Sequence, residues 1–551
     1  MEKPIRLKSY KNLTPIETIH KIRKILFKNN IFLIESMQKK DPLTGICSCR
    51  VIIGNDNVRD LNIGSNGKGM NTEYALASAY AEFIERFQNG ALFWKLLGIT
   101  SSSSGSFSVT KSDFTNITKR FINSIYGESK DNDDIISKYI ESLNEFKVIS
   151  MNEYQSENNV LLPSELFNRM TGSNGMASGN TILEATIQGL SEIFERYAIQ
   201  ELFLNKLTPP QIDNEYFEGT EILKRIKKLE KRGIKFKILD CSLDKGLPVL
   251  GLLLEKNNKY HIHFGADPSP ITALERCLTE TLQGRTVDEI PLLPLLKDTD
   301  DKQVLFENEK KEYTDSTGQV PVWILYSKYS WSFKGFVHNI SITDEDDMHY
   351  YLKILSDLGK KLYVHENSFL GFPSVRLYVP GMTENHCPQL ELCIEKSISQ
   401  DLKNLLNRLP ILTNEEYKKL AYGIRQWLNI NYGISTMDKF CVKELTSIKK
   451  VFPVGLFPVK FWDERLLIAA IFIRGGIIED GNELLDIYID ENKINEQEAK
   501  VLKVRLYSQS LMFLSSEWPQ CPNCDICRAK NLCYQKNFNE IYKSYLTLLN
   551  K

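Results

Sequence analysis

The spacing of apolar residues near the start of the chain predicts an amphipathic α-helix. The segment Thr14-Pro15-Ile16-Glu17 supplies a Thr cap, a proline in the first turn and a Glu three residues after the cap, which together form a capping box. Apolar residues then follow at positions 19, 22 and 26, the spacing of one helix face. We therefore expect the first clear element to be a helix that starts after Thr14.

Shorter apolar runs further along the chain predict β-strands. Runs at 248–254 and 260–264 flank Lys-Asn-Asn-Lys at 256–259, a pattern typical of a β-hairpin with an Asn turn. Residues 320–326 and 375–379 are predicted to form further strands. The chain before Pro380 is thus expected to mix helices and strands.

After Pro380-Gly381-Met382, helix-forming residues predominate. Helices are predicted over 390–406, 415–429 and 496–514, with a domain boundary between residues 385 and 410. The densest apolar run, 466–473, is predicted to be a buried strand or helix, because a membrane span needs about 20 residues.

Composition and charge narrow the classes of function. Lys and Arg number 69 against 70 Asp and Glu, so no global field attracts a polyanion and we expect no nucleic-acid binding. The hydrophobic share of 42% and the charged share of 25% are those of a globular protein. The N-terminus shows no export pattern, and we expect a cytoplasmic protein without membrane association.

An internal repeat is the most informative feature of the sequence. Residues 79–87, Ala-Tyr-Ala-Glu-Phe-Ile-Glu-Arg-Phe, are matched by residues 189–197, Gly-Leu-Ser-Glu-Ile-Phe-Glu-Arg-Tyr. Each copy follows a Ser-Asn-Gly segment, at 65–67 and at 173–175, which is predicted to be a loop. A duplicated loop-helix unit is the simplest explanation of this repeat.

Each copy places two Glu residues three positions apart, which puts both carboxylates on one helix face beside an Arg. Carboxylate oxygens suit Mg²⁺ shared with phosphates, and the Arg fork matches phosphate oxygens. A single such helix is usually a solvated face with a weak ion pair, but the repetition favours a binding site. The chain has no Walker-type phosphate loop, so a nucleotide site here would be of another kind.

Three motifs in order resemble the nucleotide motifs of the YcaO family. They are Ser78-x3-Glu82-x2-Glu85-Arg86, then Asn180-x3-Glu184-x3-Gln188-x3-Glu192-x2-Glu195-Arg196, then Ala273-Leu-Glu-Arg276-x3-Glu280-x2-Gln283-Gly-Arg285. The resemblance covers residues 10 to 385 and is strongest to the stand-alone enterobacterial type, the ribosomal protein methylthiotransferase accessory factors. It implies an α+β fold with mixed sheets and duplicated loop-helix units, followed by a mainly helical C-terminal domain.

The resemblance also implies a division into domains. Residues 1–60 would be an N-terminal segment of the catalytic domain, 61–385 the ATP-binding catalytic domain, 386–515 a helical C-terminal domain and 516–551 a Cys-rich tail.

The family's functional residues carry over by matching position. The resemblance implies Mg²⁺ coordination by a set of glutamates, namely Glu82, Glu85, Glu184, Glu192, Glu195 and Glu280. It implies ATP and phosphate contacts from Lys11, Thr18, Ser78, Arg86, Asn180, Gln188, Arg196 and Arg276. Two departures are Thr18, which stands where the family has Ser, and Ala177, where some relatives have Ser. Lys11 could equally be a solvated side chain.

Family members phosphorylate a substrate amide oxygen after a nucleophile adds to the carbonyl, which gives an azoline, a thioamide or an amidine. The last residues of the chain, 542–551, contain no proline, whereas azoline-forming members commonly end in a Pro-rich tail. This favours thioamide formation or a role in ribosomal protein methylthiolation over azoline formation. We expect a peptide or ribosomal-protein substrate, a sulfur-transfer or methylthiotransferase partner and a homodimer, with a non-catalytic peptide-binding scaffold as the alternative.

A second candidate site lies in the Cys-rich tail. Cys521, Cys524, Cys527 and Cys533 place four thiolates close together, and soft sulfur ligands select zinc or an iron-sulfur cluster. The compact spacing favours the iron-sulfur cluster. Cys277 is expected in the core, and His261 and His263 are expected to be structural.

Overall fold

The computed structural model describes residues 3–7, 11–55, 63–93, 105–141, 143, 145–385, 390, 402, 405, 412–432 and 464–491. The α-helices of this part of the chain are α1 (Pro15–Lys28), α2 (Thr72–Gln88), α3 (Lys111–Tyr126), α4 (Lys130–Glu141), α5 (Ser164–Thr171), α6 (Ile182–Leu204), α7 (Glu221–Lys227), α8 (Pro270–Thr281), α9 (Lys302–Asp315), α10 (Asp344–Asp357), α11 (Asn414–Tyr432), α12 (Glu464–Arg474) and α13 (Ile478–Glu491). The strands are β1 (Ile5–Arg6), β2 (Leu33–Lys40), β3 (Cys47–Ile53), β4 (Gly64–Gly69), β5 (Ser106–Ser108), β6 (Lys147–Glu153), β7 (Asn159–Pro163), β8 (Met176–Ser178), β9 (Gln211–Ile212), β10 (Lys235–Asp240), β11 (Val249–Lys256), β12 (Lys259–Ala266), β13 (Ile340–Ser341), β14 (Tyr363–Glu366) and β15 (Ser374–Tyr378).

The described strands form separate sheets, and the fold class is α+β as predicted. Three strands pair in the order β2-β3-β4, four in the order β12-β11-β10-β9, and six in a sheet ordered β5-β6-β14-β15-β8 with β7 beside β6. The pairings within these three sheets are antiparallel, whereas the short strands β1 and β13 pair in parallel. None of the described helices is long and apolar enough to cross a bilayer.

Three strand-helix units carry the three sequence motifs. Unit one is β4 with α2, unit two is β8 with α6, and unit three is β12 with α8. In each unit a glycine lies against the helix: an added Cβ would stand 2.1 Å from Ala75 O at Gly67, 2.7 Å from Ala185 N at Gly179 and 2.3 Å from Ala273 O at Gly265. A side chain at these positions would push the strand away from its helix. The duplication expected from the sequence therefore extends to a third, similar unit.

Several predicted elements are confirmed. Helix α1 has the complete capping box between Thr14 and Glu17. The hairpin of β11 and β12 turns through Asn257 and Asn258, both with positive φ, which Asn tolerates better than most residues. Strand β15 matches the strand predicted at 375–379, helix α11 matches the helix predicted at 415–429, and the apolar run at 466–473 is helical in α12.

Two predictions about local structure are wrong. Residues 320–326 do not form a strand, because Val322–Leu325 is a single 3₁₀ turn after Pro321, whose nitrogen cannot donate to a ladder. The first Ser-Asn-Gly segment is not a loop, because Ser65, Asn66 and Gly67 lie within β4. Its glycines allow this strand to approach α2 closely enough to pack.

The C-terminal helices share a core with the middle of the chain. Buried residues Tyr417, Leu420 and Phe472 belong to the same hydrophobic cluster as Phe121 and Ile149. Of the helix predicted at 390–406, only residues 390, 402 and 405 are described, and the helix predicted at 496–514 lies outside the described residues. The predicted domain limits therefore stay predictions.

Candidate functional site

A cavity of about 1340 Å³ lies among the three units and helix α1. All residues predicted to bind magnesium or nucleotide line it, namely Lys11, Thr18, Ser78, Glu82, Glu85, Arg86, Asn180, Glu184, Gln188, Glu192, Glu195, Arg196, Arg276 and Glu280. The fold thus brings together four segments that are far apart in the sequence.

Unit one supplies its carboxylates from the last two turns of α2. Asn71 caps this helix by accepting a hydrogen bond from Tyr74 N, and the apolar residues beside the motif are buried. Arg86 Nε lies 3.4 Å from Glu85 Oε1 and 3.7 Å from Glu82 Oε1. Burial raises the pKa of Glu85 well above its ordinary value, which Arg86 opposes and the nearby carboxylates reinforce.

Unit two places the same motif in the middle of α6. Arg196 Nη2 lies 2.9 Å from Glu192 Oε1. Glu195 turns instead to unit three, where its Oε2 accepts a hydrogen bond from Ala266 N at 3.1 Å. Burial raises the pKa of Glu195 to about 7 although Arg276 and Arg196 oppose the shift.

The N-terminal segment closes the cavity over the start of α6. Glu184 Oε2 accepts a hydrogen bond from Asn12 N at 3.0 Å, and Lys11 Nζ lies 3.7 Å from Glu184 Oε1. Thr18 Oγ1 donates a hydrogen bond to Asn180 Oδ1 at 3.1 Å. Burial lowers the pKa of Lys11, and its side chain lines the cavity.

Unit three contributes a guanidinium and a carboxylate from α8. Arg276 Nη2 donates to Gln188 Oε1 of α6 and lies 3.3 Å from Asp267 Oδ2. Glu280, one turn further on, pairs with Lys68 Nζ of β4. The helices of the three units are therefore joined across the cavity by charged groups.

The sequence reasoning missed several cavity residues. Lys68 directly follows the Ser-Asn-Gly segment at 65–67 and has no counterpart in the second copy, where Met176 stands. His263 Nδ1 lies 3.2 Å from Glu312 Oε1, and His263 Nε2 lies 3.8 Å from Glu280 Oε2. Burial and the positive charges of Lys68 and Arg285 lower the pKa of His263 to about 3, so it is a neutral ring. The one available signal was the polar character of residues 261 and 263 in an otherwise apolar hairpin.

The remaining predicted residues fall in different environments. Cys277 is fully buried, as expected, and His261 is buried beside His263. Ala177 lies in the core, while the adjacent Ser178 donates to Ala81 O at 2.8 Å and lines the cavity. Cys521, Cys524, Cys527 and Cys533 lie outside the described residues, so their metal stays a prediction.

The donor set suits magnesium held together with phosphate. Within the part of the chain that the structure describes, no three His, Cys, Asp or Glu side chains are grouped closely enough to hold a metal ion. Mg²⁺ commonly uses one or two carboxylates and completes its shell with water and substrate phosphates. The pKa values of Glu85 and Glu195 are raised, which means that burial destabilises their ionised forms. A divalent cation would stabilise these ionised forms.

Two bacterial proteins are similar to this chain in sequence. An Escherichia coli K12 protein, ribosomal protein S12 methylthiotransferase accessory factor YcaO, is 27% identical over 446 residues, which is 75% of this chain and 72% of that protein. A Haemophilus influenzae protein is 27% identical over 380 residues, 63% of this chain and 62% of its own length.

Solved structures that this chain resembles include YcaO from Methanopyrus kandleri bound with AMPPCP and Mg²⁺. It has 19% identity and a TM-score of 0.42, over 69% of this chain and 95% of that one. A heterocyclase in complex with substrate and cofactor has 18% identity and a TM-score of 0.47, over 69% of this chain and 54% of that one.

The model of one protein family, described as YcaO cyclodehydratase, ATP- and Mg²⁺-binding, matches residues 66–383. The match spans more than half of the chain and contains all three motifs that surround the cavity. The chain therefore belongs to the YcaO family.

Proposed function

We propose that this protein uses ATP and Mg²⁺ to phosphorylate a backbone amide oxygen of a peptide or protein, in a thioamide-type or related modification. The observation that carries the proposal is the convergence of carboxylates and cations from four chain segments on one cavity. A phosphoryl-transfer site needs this mixture, because metal ions and positive side chains stabilise the transferring group.

The residues divide into two groups by their chemistry. The carboxylates Glu82, Glu85, Glu184, Glu192, Glu195 and Glu280 would coordinate Mg²⁺ or order its hydration shell. The phosphates would be contacted by Lys11, Thr18, Ser78, Arg86, Asn180, Gln188, Arg196 and Arg276. When bound, Mg²⁺ neutralises negative charge on the phosphates.

The chain's own side chains would then orient the nucleotide. Arg196 and Arg276 lie on facing helices, and their guanidinium groups are held by Glu192 and Gln188, so little reorganisation is needed to receive a phosphate. The cavity exceeds the roughly 300 to 1,000 Å³ of a typical small-molecule site, which leaves room for an acceptor beside the nucleotide.

A second candidate is an accessory factor for ribosomal protein methylthiolation. The name of the E. coli relative, which this chain matches over 72% of its length, favours it. Azoline formation and a non-catalytic scaffold are weaker alternatives, since a scaffold gains nothing from burying carboxylates at a cost in free energy. A homodimer and a sulfur-transfer or methylthiotransferase partner complete the proposal.

The function is tested by incubating the protein with Mg-ATP, hydrosulfide and purified ribosomal protein S12 as a candidate acceptor. Phosphate release and the intact mass of the acceptor are both measured. Replacement of an oxygen by sulfur in the acceptor, dependent on ATP, supports the modifying enzyme. Accelerated ATP turnover without a change in mass supports the accessory role, and a protein that neither binds nor hydrolyses ATP contradicts both.

A further inference from the structure

Lys68 occupies an unusual place in β4, because both of its neighbours lie against helix α2. An added Cβ would stand 2.1 Å from Ala75 O at Gly67 and 2.6 Å from Ala75 N at Gly69. Side chains alternate along a strand, so Lys68 points away from α2. Its backbone is thus fixed against the helix that carries Glu82 and Glu85, while its side chain extends into the cavity.

The ammonium group of Lys68 joins unit one to unit three. It pairs with Glu280 Oε1 and donates to Gln283 Oε1 at 3.3 Å. The carboxylates Glu82 of unit one and Glu195 of unit two also attract this ammonium. A positive charge therefore stands in the middle of the carboxylates of all three units.

A divalent cation that binds Glu280 through Oε1 competes with this ammonium for the same oxygen. Two cations cannot both stay at bonding distance from one carboxylate oxygen without strong repulsion. Lysine has a flexible stem of four methylenes and three donors, so its head group can leave Glu280 without a backbone movement. In a cavity that also holds a nucleotide, the phosphates offer the strongest new acceptors.

We propose that Lys68 is a counter-ion of Glu280 that exchanges with Mg²⁺ and then binds a phosphate of the nucleotide. This inference rests on the proposed function, because it requires Mg-ATP in the same cavity. It makes Lys68 a direct nucleotide contact contributed by β4, in addition to the motif residues on the helices.

The test exploits two effects of opposite sign. Mn²⁺ alone, as a probe of the metal site, and ATP with saturating Mg²⁺ are titrated into the wild type and into Lys68→Met. Loss of the competing ammonium should make Mn²⁺ bind several-fold more tightly. Loss of a charge-assisted hydrogen bond should weaken Mg-ATP binding about 10- to 100-fold.

Lys39→Met is the matched control, because it removes the same charge from the same sheet outside the cavity. Lys39 Nζ pairs with Glu289 Oε1 at 2.8 Å on the surface, and both affinities should stay at the wild-type values. A misfolded variant would lose both ligands, so tighter Mn²⁺ binding cannot arise from damage to the fold.

Glu280→Gln is a second, independent variant. In this variant, residue 280 has no carboxylate to pair with Lys68. ATP without metal should therefore bind several-fold more tightly to the variant than to the wild type. The inference is wrong if Lys68→Met leaves either affinity unchanged while the wild type binds Mg-ATP. If the wild type binds no Mg-ATP at all, the proposed function itself is wrong.

Discussion

The two copies of Glu-x-x-Glu-Arg have the same sequence pattern and different surroundings. In unit one, Arg86 lies near both carboxylates of its own helix, at 3.4 and 3.7 Å. In unit two, Arg196 pairs with Glu192, while Glu195 accepts a hydrogen bond from the backbone of unit three. The motif fixes which side chains share a helix face, and the neighbouring units decide the electrostatic state of each carboxylate.

The largest expected effect is on the free energy of unfolding, and it compares how tightly the glycines of unit one and unit two pack against their helices. Gly67→Ala would place a Cβ 2.1 Å from Ala75 O and 2.2 Å from Ala79 N, whereas at Gly179 the nearest atom is 2.7 Å away. We expect Gly67→Ala to lower the free energy of unfolding by about 3 kcal/mol or more, and Gly179→Ala by about 2 kcal/mol. Denaturant titration measures both. Equal losses would show that the two units pack alike.

The next effect separates the two arginines. Arg86→Met leaves the buried Glu85 near the carboxylates of Glu82 and Glu192, which raise its pKa further. When the pKa of a carboxyl is higher in the folded protein than in the unfolded chain, the free energy of unfolding falls as pH rises above the pKa of the unfolded chain. We expect the free energy of unfolding to fall by about 2 kcal/mol at pH 8 and by less at pH 5. This loss is smaller than that expected for a fully buried ion pair.

Arg196→Met is the matched variant in unit two. We expect a loss of about 1 kcal/mol, because Arg276 and Lys68 also stabilise the ionised form of Glu195. Thermal unfolding at the two pH values measures both variants. A loss for Arg86→Met that does not depend on pH would contradict this account of unit one.

An effect of similar size and opposite sign is expected at Glu195. Its pKa of about 7 lies above the ordinary value of 4.5, so the free energy of unfolding falls as pH rises from about 5 to about 7, where this carboxyl ionises in the unfolded chain but stays protonated in the folded protein. Glu195→Gln keeps an oxygen for Ala266 N and removes the charge. We expect it to stabilise the ligand-free protein by about 1 to 2 kcal/mol at pH 8 and not at pH 5.

Glu192→Gln is the control on the same helix face, since it removes a carboxylate that has Arg196 at 2.9 Å. No gain in melting temperature is expected from it. A gain from Glu192→Gln equal to that from Glu195→Gln would mean that the position of Glu195 between two units has no special role.

An effect as small as that of Arg196→Met tests the contact between α1 and unit two. Thr18→Val removes the hydrogen bond to Asn180 while keeping the shape of the side chain, and we expect a loss of about 1 kcal/mol. Thr18→Ser keeps the hydroxyl and should restore the hydrogen bond. Denaturant titration of the two variants gives the difference, and identical values would exclude a stabilising role for this bond.

Features set by local chemistry could be predicted from the sequence, and features set by distant contacts could not. The capping box at Thr14 and the turn at Asn257 depend on a few adjacent residues, and both are confirmed. Residues 65–69 form a strand instead of a loop because their glycines pack on α2, a contact that no local pattern reveals.

The same distinction holds for the candidate site. Four carboxylates were predicted because a helical repeat displays them three residues apart, whereas Glu184 and Glu280 followed only from the family resemblance. All six line one cavity. Lys68 and Glu312 belong to no repeat, and they reach the cavity only because β4, α8 and α9 meet there. The identity of the substrate could not be predicted from the sequence, since acceptor binding depends on the cavity as a whole.

The central claim is that carboxylates from separate units form one Mg-ATP site. The most direct test is a calorimetric titration of Mg-ATP into the wild type, Glu82→Ala of unit one and Glu195→Ala of unit two. Glu218→Ala is the control, because Glu218 pairs with Lys227 on the surface, where its side chain is 57% exposed. We predict binding to the wild type and the control and its loss in both other variants. Unchanged binding in either Glu82→Ala or Glu195→Ala would contradict a site shared between the two units.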